Sequence, residues 1–299
     1  MYSRVLAPLD GSALAERVLP YARLVAASLG SRLELFRVIE PPPLGDWDLA
    51  QGMMIPHAEL DQESDVLEYL DIAAARLRRS GLPVSRSFRT GDPASQIVKI
   101  AEAEEDTLVA MSTRGRSGMT RWLMGSVTDK VLRGTTCSML IVRGMSDGVD
   151  EDDLKIRRIV APLDGSRRSE RALPPAVSLA KALSVGASLV YAMQRETDGS
   201  EPEGNTPAED GGRQGRVLAD EYLEEIADEL RQGGLGDVEQ HVEYGDPAEV
   251  IVDFAEETEG CLIAMATHGR SPMQRWLLGS VTDRVTRHSS CPVLVVRST

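Results

Sequence analysis

The sequence predicts an α/β protein built from two tandem, doubly wound domains, each with a five-stranded parallel sheet. Three observations predict it. The chain has 299 residues, a length that suits two domains of ordinary size. Short apolar runs alternate with segments of helical spacing, the pattern of a parallel sheet covered on both faces. The pattern also occurs twice. Ala7-Pro8-Leu9-Asp10-Gly11-Ser12 returns as Ala161-Pro162-Leu163-Asp164-Gly165-Ser166, and Gly91-Asp92-Pro93-Ala94 as Gly245-Asp246-Pro247-Ala248. Gly125-Ser126-Val127-Thr128-Asp129 returns as Gly279-Ser280-Val281-Thr282-Asp283, and all three offsets are 154 residues. Residues 108–143 align with 262–297 without gaps at 22 identities in 36, too many for chance. A period this long means two globular domains and not a solenoid.

The elements of the first copy follow in order. Arg4–Leu9 is a short apolar run, read as a buried strand. Ala13–Leu29 carries apolar residues at helical spacing and stops at Gly30. Arg32–Ile39 is a second strand, Glu59–Arg79 a helix ended by Gly81, and Val84–Arg89 a third strand. Asp92 is a helix N-cap with Pro93 at the first helical position, opening a helix through about Glu104. Thr107–Met111 is the fourth strand, Ser126–Arg133 a helix and Met139–Val142 the fifth strand. The expected domains are 1–144 and 155–299, joined by a Gly- and acid-rich linker at 145–154. Residues 41–58 and 194–215 are the longest irregular stretches. Both read as surface loops, with a lid or partner segment as the alternative.

Composition excludes several classes. With 33 Lys+Arg against 47 Asp+Glu the formal charge is −14. A surface of that sign lacks the cations that nucleic-acid binding requires, so no nucleic-acid partner is expected. No apolar run approaches the roughly 18 residues of a membrane span, and the N-terminus lacks a signal-peptide layout. A cytoplasmic protein with no membrane partner is the expectation. Cys137, Cys261 and Cys291 are odd in number and contain no CxxC, so neither a disulfide framework nor a zinc site is indicated. Cys137 and Cys291 read as small buried residues before the last strand. His57, His241, His268 and His288 are scattered, so no metal site is expected. There is no GxSxG elbow, no Walker A sequence and no GxGxxG after a first strand.

Ligands of such sheets bind beyond the carboxyl ends of the strands. The first strand ends in Leu9-Asp10-Gly11-Ser12, where Asp10 either caps the next helix or meets a ligand. The fourth strand runs into Ser112-Thr113-Arg114-Gly115, then nine residues, then Gly125-Ser126; the second copy reads Ala266-Thr267-His268-Gly269, nine residues, Gly279-Ser280. Ser126-x-x-Asp129 and Ser280-x-x-Asp283 resemble capping pairs. Glycines at such a start also free backbone N–H groups to face an anion, and the helix dipole adds attraction. Spacing leaves the two readings level. Arg114 and His268 read as solvated loop side chains, and Trp122 and Trp276 as packing residues.

Pro-Leu-Asp-Gly-Ser at the first strand, Gly-Asp-Pro-Ala at the third helix, and Gly-Arg-Ser…Leu-x-Gly-Ser-Val-Thr-Asp before Cys-x-x-Leu-x-Val resemble the universal stress protein family. The resemblance covers essentially the whole chain, twice, as in tandem members of that family. It implies a Rossmann-like fold of the adenine-nucleotide alpha-hydrolase kind, strand order 3-2-1-4-5, and dimerisation through the fifth-strand edge. Here that implies pairing of the two domains within the chain and further pairing into a homodimer. One branch of the family binds ATP through Gly-x2-Gly-x9-Gly-Ser/Thr, and another lacks the motif and does not. This chain departs from the motif once per copy, at Ser112 and Ala266. If the first glycine serves close backbone approach, Ser or Ala adds one small group; if it needs φ > 0, either residue costs energy. The resemblance implies an adenine nucleotide, ATP or AMP with or without Mg2+. Its first set of contacts would be Pro8, Asp10, Val38, Ser112, Gly115, Gly125, Ser126 and Val127. Its second set would be Pro162, Asp164, Ala192, Ala266, Gly269, Gly279, Ser280 and Val281. The implied role is a stress-response sensor or regulator with at most slow ATP hydrolysis. The alternative is a nucleotide-free module that recruits a protein partner.

Overall fold

The computed structural model describes residues 2–41, 56–78, 81–113, 124–143, 154–194, 208–267 and 278–297. They form two compact units, Tyr2–Cys137 and Ser138–Thr299.

The first unit runs β1 (Arg4–Pro8), α1 (Ala13–Glu16), α2 (Leu19–Leu29), β2 (Arg32–Ile39), α3 (Pro56–Arg78), β3 (Val84–Thr90), α4 (Pro93–Ala101), β4 (Thr107–Ser112) and α5 (Ser126–Gly134). Its strands lie in the order β3-β2-β1-β4 and every pairing is parallel. All residues of β1 and β4 are buried, as strands covered on both faces must be. The second unit opens with β5 (Ser138–Val142), then β6 (Arg158–Leu163), a 3-10 turn (Ser169–Ala172), α6 (Leu173–Leu183) and β7 (Gly186–Met193). It continues with α7 (Ala208–Gln232), β8 (Val238–Tyr244), α8 (Pro247–Glu257), β9 (Cys261–Ala266), α9 (Ser280–His288) and β10 (Val293–Val296). Its strand order is β5-β10-β9-β6-β7-β8. The second copy is therefore ordered 3-2-1-4-5 and wholly parallel, as expected.

The fifth strand of the first copy is the exception to parallel pairing. It joins β10 antiparallel, with Met139 opposite Val295, Leu140 opposite Leu294 and Ile141 opposite Val293. Leu140 thus faces its own equivalent in the repeat. Apolar strands of this kind are a liability when an edge is left open, and each here occupies an edge of the other.

Three elements differ from the sequence reading. The helix expected over Ala13–Leu29 is split into α1 and α2, because Pro20 lacks an N–H and starts a new helix at its first turn. The helix expected from Glu59 begins at Pro56, inside the stretch 41–58 read as a loop. The stretch 194–215, read as a loop, gives way to α7 from Ala208, where a run of Glu, Asp, Gly and Arg carried no apolar spacing to announce a helix. The Asp92 cap is as read: its Oδ2 accepts from Ser95 N at 2.9 Å, and Asp246 caps α8 in the same way.

At the amino ends of the strands, Arg4 is 1 % exposed and pairs with Glu34 at 3.2 Å and Glu104 at 3.1 Å. Its remaining donors reach Thr107 Oγ1 and the carbonyls of Ile100 and Ala101. A buried cation needs this many acceptors, since each unpaired donor would cost its desolvation. The opposite, carboxyl ends of the strands carry the cavities described next.

One expectation about the cysteines is overturned. Cys261 and Cys291 form a disulfide, and Cys137 stays outside it, half-buried like Cys291. Parity and the lack of CxxC hid the pair, because the fold brings together residues 30 positions apart. Among the described residues no helix is long and apolar enough to cross a membrane.

Candidate functional site

Each unit holds a cavity at the carboxyl ends of its strands, of about 480 Å³ in the first and about 490 Å³ in the second. This size suits a small organic ligand. The first is lined by Pro8, Asp10, Val38, Ser112, Gly125, Ser126 and Val127. The second is lined by Pro162, Asp164, Ala192, Ala266, Gly279, Ser280 and Val281. Every described candidate residue therefore reaches its cavity. Gly115 and Gly269 lie outside the described residues, as do Arg114, His268, Trp122 and Trp276.

One wall is the start of α5. Gly125 is its N-cap and makes no side-chain capping bond, and Ser126 is already the first helical residue. The first donor inside the helix is Asp129 N, which reaches Gly125 O at 2.9 Å. The N–H groups of Ser126, Val127 and Thr128 precede it, and those three residues line the cavity. The second copy repeats this: Gly279 is the N-cap of α9 without a side-chain bond, and Asp283 N reaches Gly279 O at 2.8 Å. The capping pairs read from Ser-x-x-Asp are not formed. A hydroxyl at the first helical position stands one residue too late to cap. The aspartates instead pair one turn on, Asp129 with Arg133 at 3.0 Å and Asp283 with Arg287 at 2.9 Å.

The helix starts are tied to the strand ends beside them. Thr128 Oγ1 donates to Ser112 O and Thr282 Oγ1 to Ala266 O, both at 2.9 Å and buried. Gly125 N donates to Thr113 O at 2.5 Å and Gly279 N to Thr267 O at 2.7 Å. Ser112 and Ala266 end β4 and β9, and neither has a positive φ. The position where the motif has its first glycine therefore sets no backbone requirement here, and its substitution adds only a small side chain to the cavity wall.

The opposite wall is the turn after the first strand. Asp10 Oδ1 accepts from Ser12 N at 2.9 Å and Ser12 Oγ at 2.6 Å, and Ser12 Oγ in turn accepts from Ala15 N. Ser12, not Asp10, is thus the cap of α1. Asp164 and Ser166 repeat the arrangement at 3.0 Å and 2.6 Å, with Ser166 Oγ accepting from Ser169 N. Gly11 and Gly165 take φ of +81° and +76°, which an L side chain would strain.

Residues that motif reading missed distinguish the two cavities. Arg37 lines the first, with its guanidinium 5.1 Å from the Tyr69 ring centre. Tyr191 takes the same place in the second and packs edge-on against Tyr222, centroids 6.2 Å apart. Burial, then neighbouring Glu16, pushes the Tyr69 phenol above the usual tyrosine range. Burial and Glu170 do the same to Tyr222, whose hydroxyl donates to Glu170 at 3.0 Å. Glu40 and Asp65 also line the first cavity, and Gln194 replaces Glu40 in the second. The runs Phe36–Glu40 and Val190–Gln194 line the cavities without a break, so alternation along β2 and β7 gave no signal for these residues. Pro93 and Pro247 line the cavities too, so the Gly-Asp-Pro-Ala motif belongs to the site wall.

Comparison with known proteins agrees with this duplicated design. A universal stress protein of Methanocaldococcus jannaschii is 34% identical over 144 residues, 47% of this chain and 82% of that protein. A universal stress protein of Staphylococcus aureus, strain USA300, carrying that name as putative, is 29% identical over 143 residues, 48% of this chain and 84% of its own length. The crystal structure of a universal stress protein from Archaeoglobus fulgidus covers 99% of both chains with a TM-score of 0.73 at 24% identity, a likeness of fold. The sequence model of the universal stress protein family matches twice, at residues 1–143 and 155–297. The chain belongs to the universal stress protein family, and carries its domain in tandem.

Proposed function

We propose that each cavity holds an adenine nucleotide, ATP or AMP with or without Mg2+, and that the chain is a cytoplasmic nucleotide-responsive regulator of a stress response. The observation that carries this reading is the uncapped start of α5 and of α9, three backbone N–H groups wide, at the edge of a ligand-sized cavity. A helix start of this form attracts phosphate through its N–H groups and its dipole. Phosphates belong at Gly125, Ser126 and Val127, and at Gly279, Ser280 and Val281, with Gly115 and Gly269 of the motif completing the two loops. The base and ribose belong at the other wall, against Pro8, Asp10 and Val38, and against Pro162, Asp164 and Ala192. Asp10, Glu40 and Asp65 outnumber Arg37 on the first cavity, a net negative lining that favours the helix start as the phosphate end. The reading is one of binding, with slow hydrolysis at most. The β5–β10 pairing supports domain pairing within the chain, and a homodimer would extend it through another surface.

Native mass spectrometry of the purified full chain, followed by release and identification of bound small molecules, tests the reading. Co-purified ATP or AMP, at up to two per chain, is the expected result. An empty, folded chain that also fails to bind added ATP in calorimetry would overturn it and favour a nucleotide-free interaction module.

A further inference from the structure

The two copies differ at one covalent bond. Cys261 is the first residue of β9, Cys291 lies just before β10, and their Cα atoms are 6.1 Å apart across the disulfide. The equivalents in the first copy are Thr107 and Cys137, so no such bond forms there. The Thr107 hydroxyl serves the Arg4 network instead, accepting from its guanidinium and donating to Glu104 O. The 30-residue loop closed by the disulfide contains Ala266, Gly279, Ser280, Val281 and Thr282. These include Gly279, Ser280 and Val281, where the second phosphate position is proposed.

The two cysteines are not equally exposed. Cys261 is 3 % exposed, whereas Cys291 is only half-buried and begins the last connection to β10. An incoming thiolate therefore meets Cys291 Sγ and expels Cys261 as the leaving thiolate. We infer that Cys261–Cys291 is a reversible thiol–disulfide site whose oxidation state sets the affinity of the second cavity, while the first cavity is blind to it. The affinity half of this inference rests on the nucleotide reading above.

The chemistry balances with two named classes of co-reactant. A small-molecule dithiol reduces the pair: its first thiolate forms a mixed disulfide with Cys291, and Cys261 leaves and takes a proton. Its second thiolate then displaces Cys291, which gives two protein thiols and a cyclic disulfide, two electrons having moved to the protein. Hydrogen peroxide reverses the change: the Cys291 thiolate attacks one oxygen, which yields a sulfenic acid and water after proton transfer. Cys261 then attacks that sulfur and displaces a second water as the disulfide forms. With the disulfide in place the loop ends are pinned, so Gly279 and Ser280 stand in position before ligand arrives. With it reduced, part of the binding energy is consumed in holding the start of α9 against the end of β9.

The test uses the full-length chain in two redox states. Thiol alkylation and intact mass follow the pair through dithiothreitol reduction and peroxide reoxidation, independently of any nucleotide. ATP calorimetry is then run on the oxidised chain, the reduced chain and Cys261→Ser. We expect two sites in the oxidised chain, and a second site about tenfold weaker in the other two with the first site unchanged, a loss of about 1.4 kcal/mol. Cys261→Ser should bind alike in both buffers, which separates the pair from Cys137. Persistence of the disulfide in excess dithiothreitol would overturn the switch. Two ATP sites unchanged by a reduction that mass confirms would overturn the coupling and leave the nucleotide reading standing. No ATP binding in either state would overturn both.

Discussion

Replacing Ser126 by Pro removes one backbone N–H from the proposed phosphate site while leaving the helix intact. Ser126 is the first helical residue of α5, so its N–H has no partner inside the helix. Proline is favoured at this position because nothing is lost from the helix and its φ is already helical. The residue before a proline must be extended, and Gly125 is, with φ −57° and ψ 142°. Gly279 before Ser280 offers the same geometry, φ −60° and ψ 145°. Stability should therefore hold, or rise by about 0.4–1 kcal/mol as the unfolded chain stiffens.

Binding should not hold. A hydrogen bond to a charged group contributes about 1.5–3 kcal/mol. At about 1.4 kcal/mol per decade, its loss predicts roughly 10- to 100-fold weaker ATP binding at the first site. Ser126→Ala removes the hydroxyl and keeps the N–H, and should cost much less than the proline. Calorimetry on wild type, Ser126→Ala, Ser126→Pro and Ser280→Pro reads the effect, and urea unfolding confirms the fold. The first proline should weaken one of two sites and the second proline the other. A folded Ser126→Pro/Ser280→Pro chain that binds ATP as wild type does would move the phosphates away from both helix starts.

Other consequences concern stability and pH. Closing a 30-residue loop is worth about 3.6 kcal/mol in the chain-entropy treatment, so Cys261→Ser under oxidising conditions should lose up to that amount in urea unfolding of the second unit. Arg4→Met leaves Glu34 buried beside an apolar chain and should cost about 3–5 kcal/mol in the first unit; Arg4→Met with Glu34→Leu should recover part of it. Burial raises the Asp246 carboxyl, but the Arg284 ion pair at 2.7 Å and the cap N–H groups outweigh it and hold its pKa below the usual value. Its stabilising contribution is present above the unfolded-chain pKa of about 3.9 and is lost as pH falls through the lower folded value. Asp246→Asn should thus lower the urea midpoint at neutral pH and lessen its fall over that acid window.

The sequence carried most of the fold because duplication and alternation are both properties of residue type. Continuous apolar runs marked β1 and β4, and Asp92-Pro93 marked a helix start that the structure places at the same residue. Pro20 was visible, yet helical spacing on both sides of it masked the break between α1 and α2. The cavity residues were legible where a motif carried them, at Asp10, Gly125 and Ser126 and their repeats. Arg37 and Tyr191 were not, because nothing local distinguishes a strand residue facing a cavity from one facing solvent. The reading of Ser126 as a capping residue failed for a geometric reason: a one-residue shift moves a hydroxyl from outside the helix to inside it, and the sequence pattern is the same in both registers.

The duplication also sorts what the fold needs from what a single site uses. Features present in both copies include the Asp-Gly-Ser turn, the uncapped Gly-Ser helix start and the threonine tie to the strand end. These are the parts that shape a cavity. Features present in one copy leave the shape alone and alter its chemistry or its freedom. Arg37 against Tyr191 changes the charge of one wall, and Thr107 against Cys261 changes whether the other wall is tethered. Both cavities keep nearly the same volume despite these differences, about 480 and about 490 Å³. Two sites of one shape with unequal charge and unequal tethering can respond differently to a shared ligand, whereas an unduplicated chain forms identical sites in every copy it pairs with. That difference gives a physical reason for the tandem form: covalent linkage lets the two sites diverge while β5 and β10 still find each other at a fixed ratio of one to one.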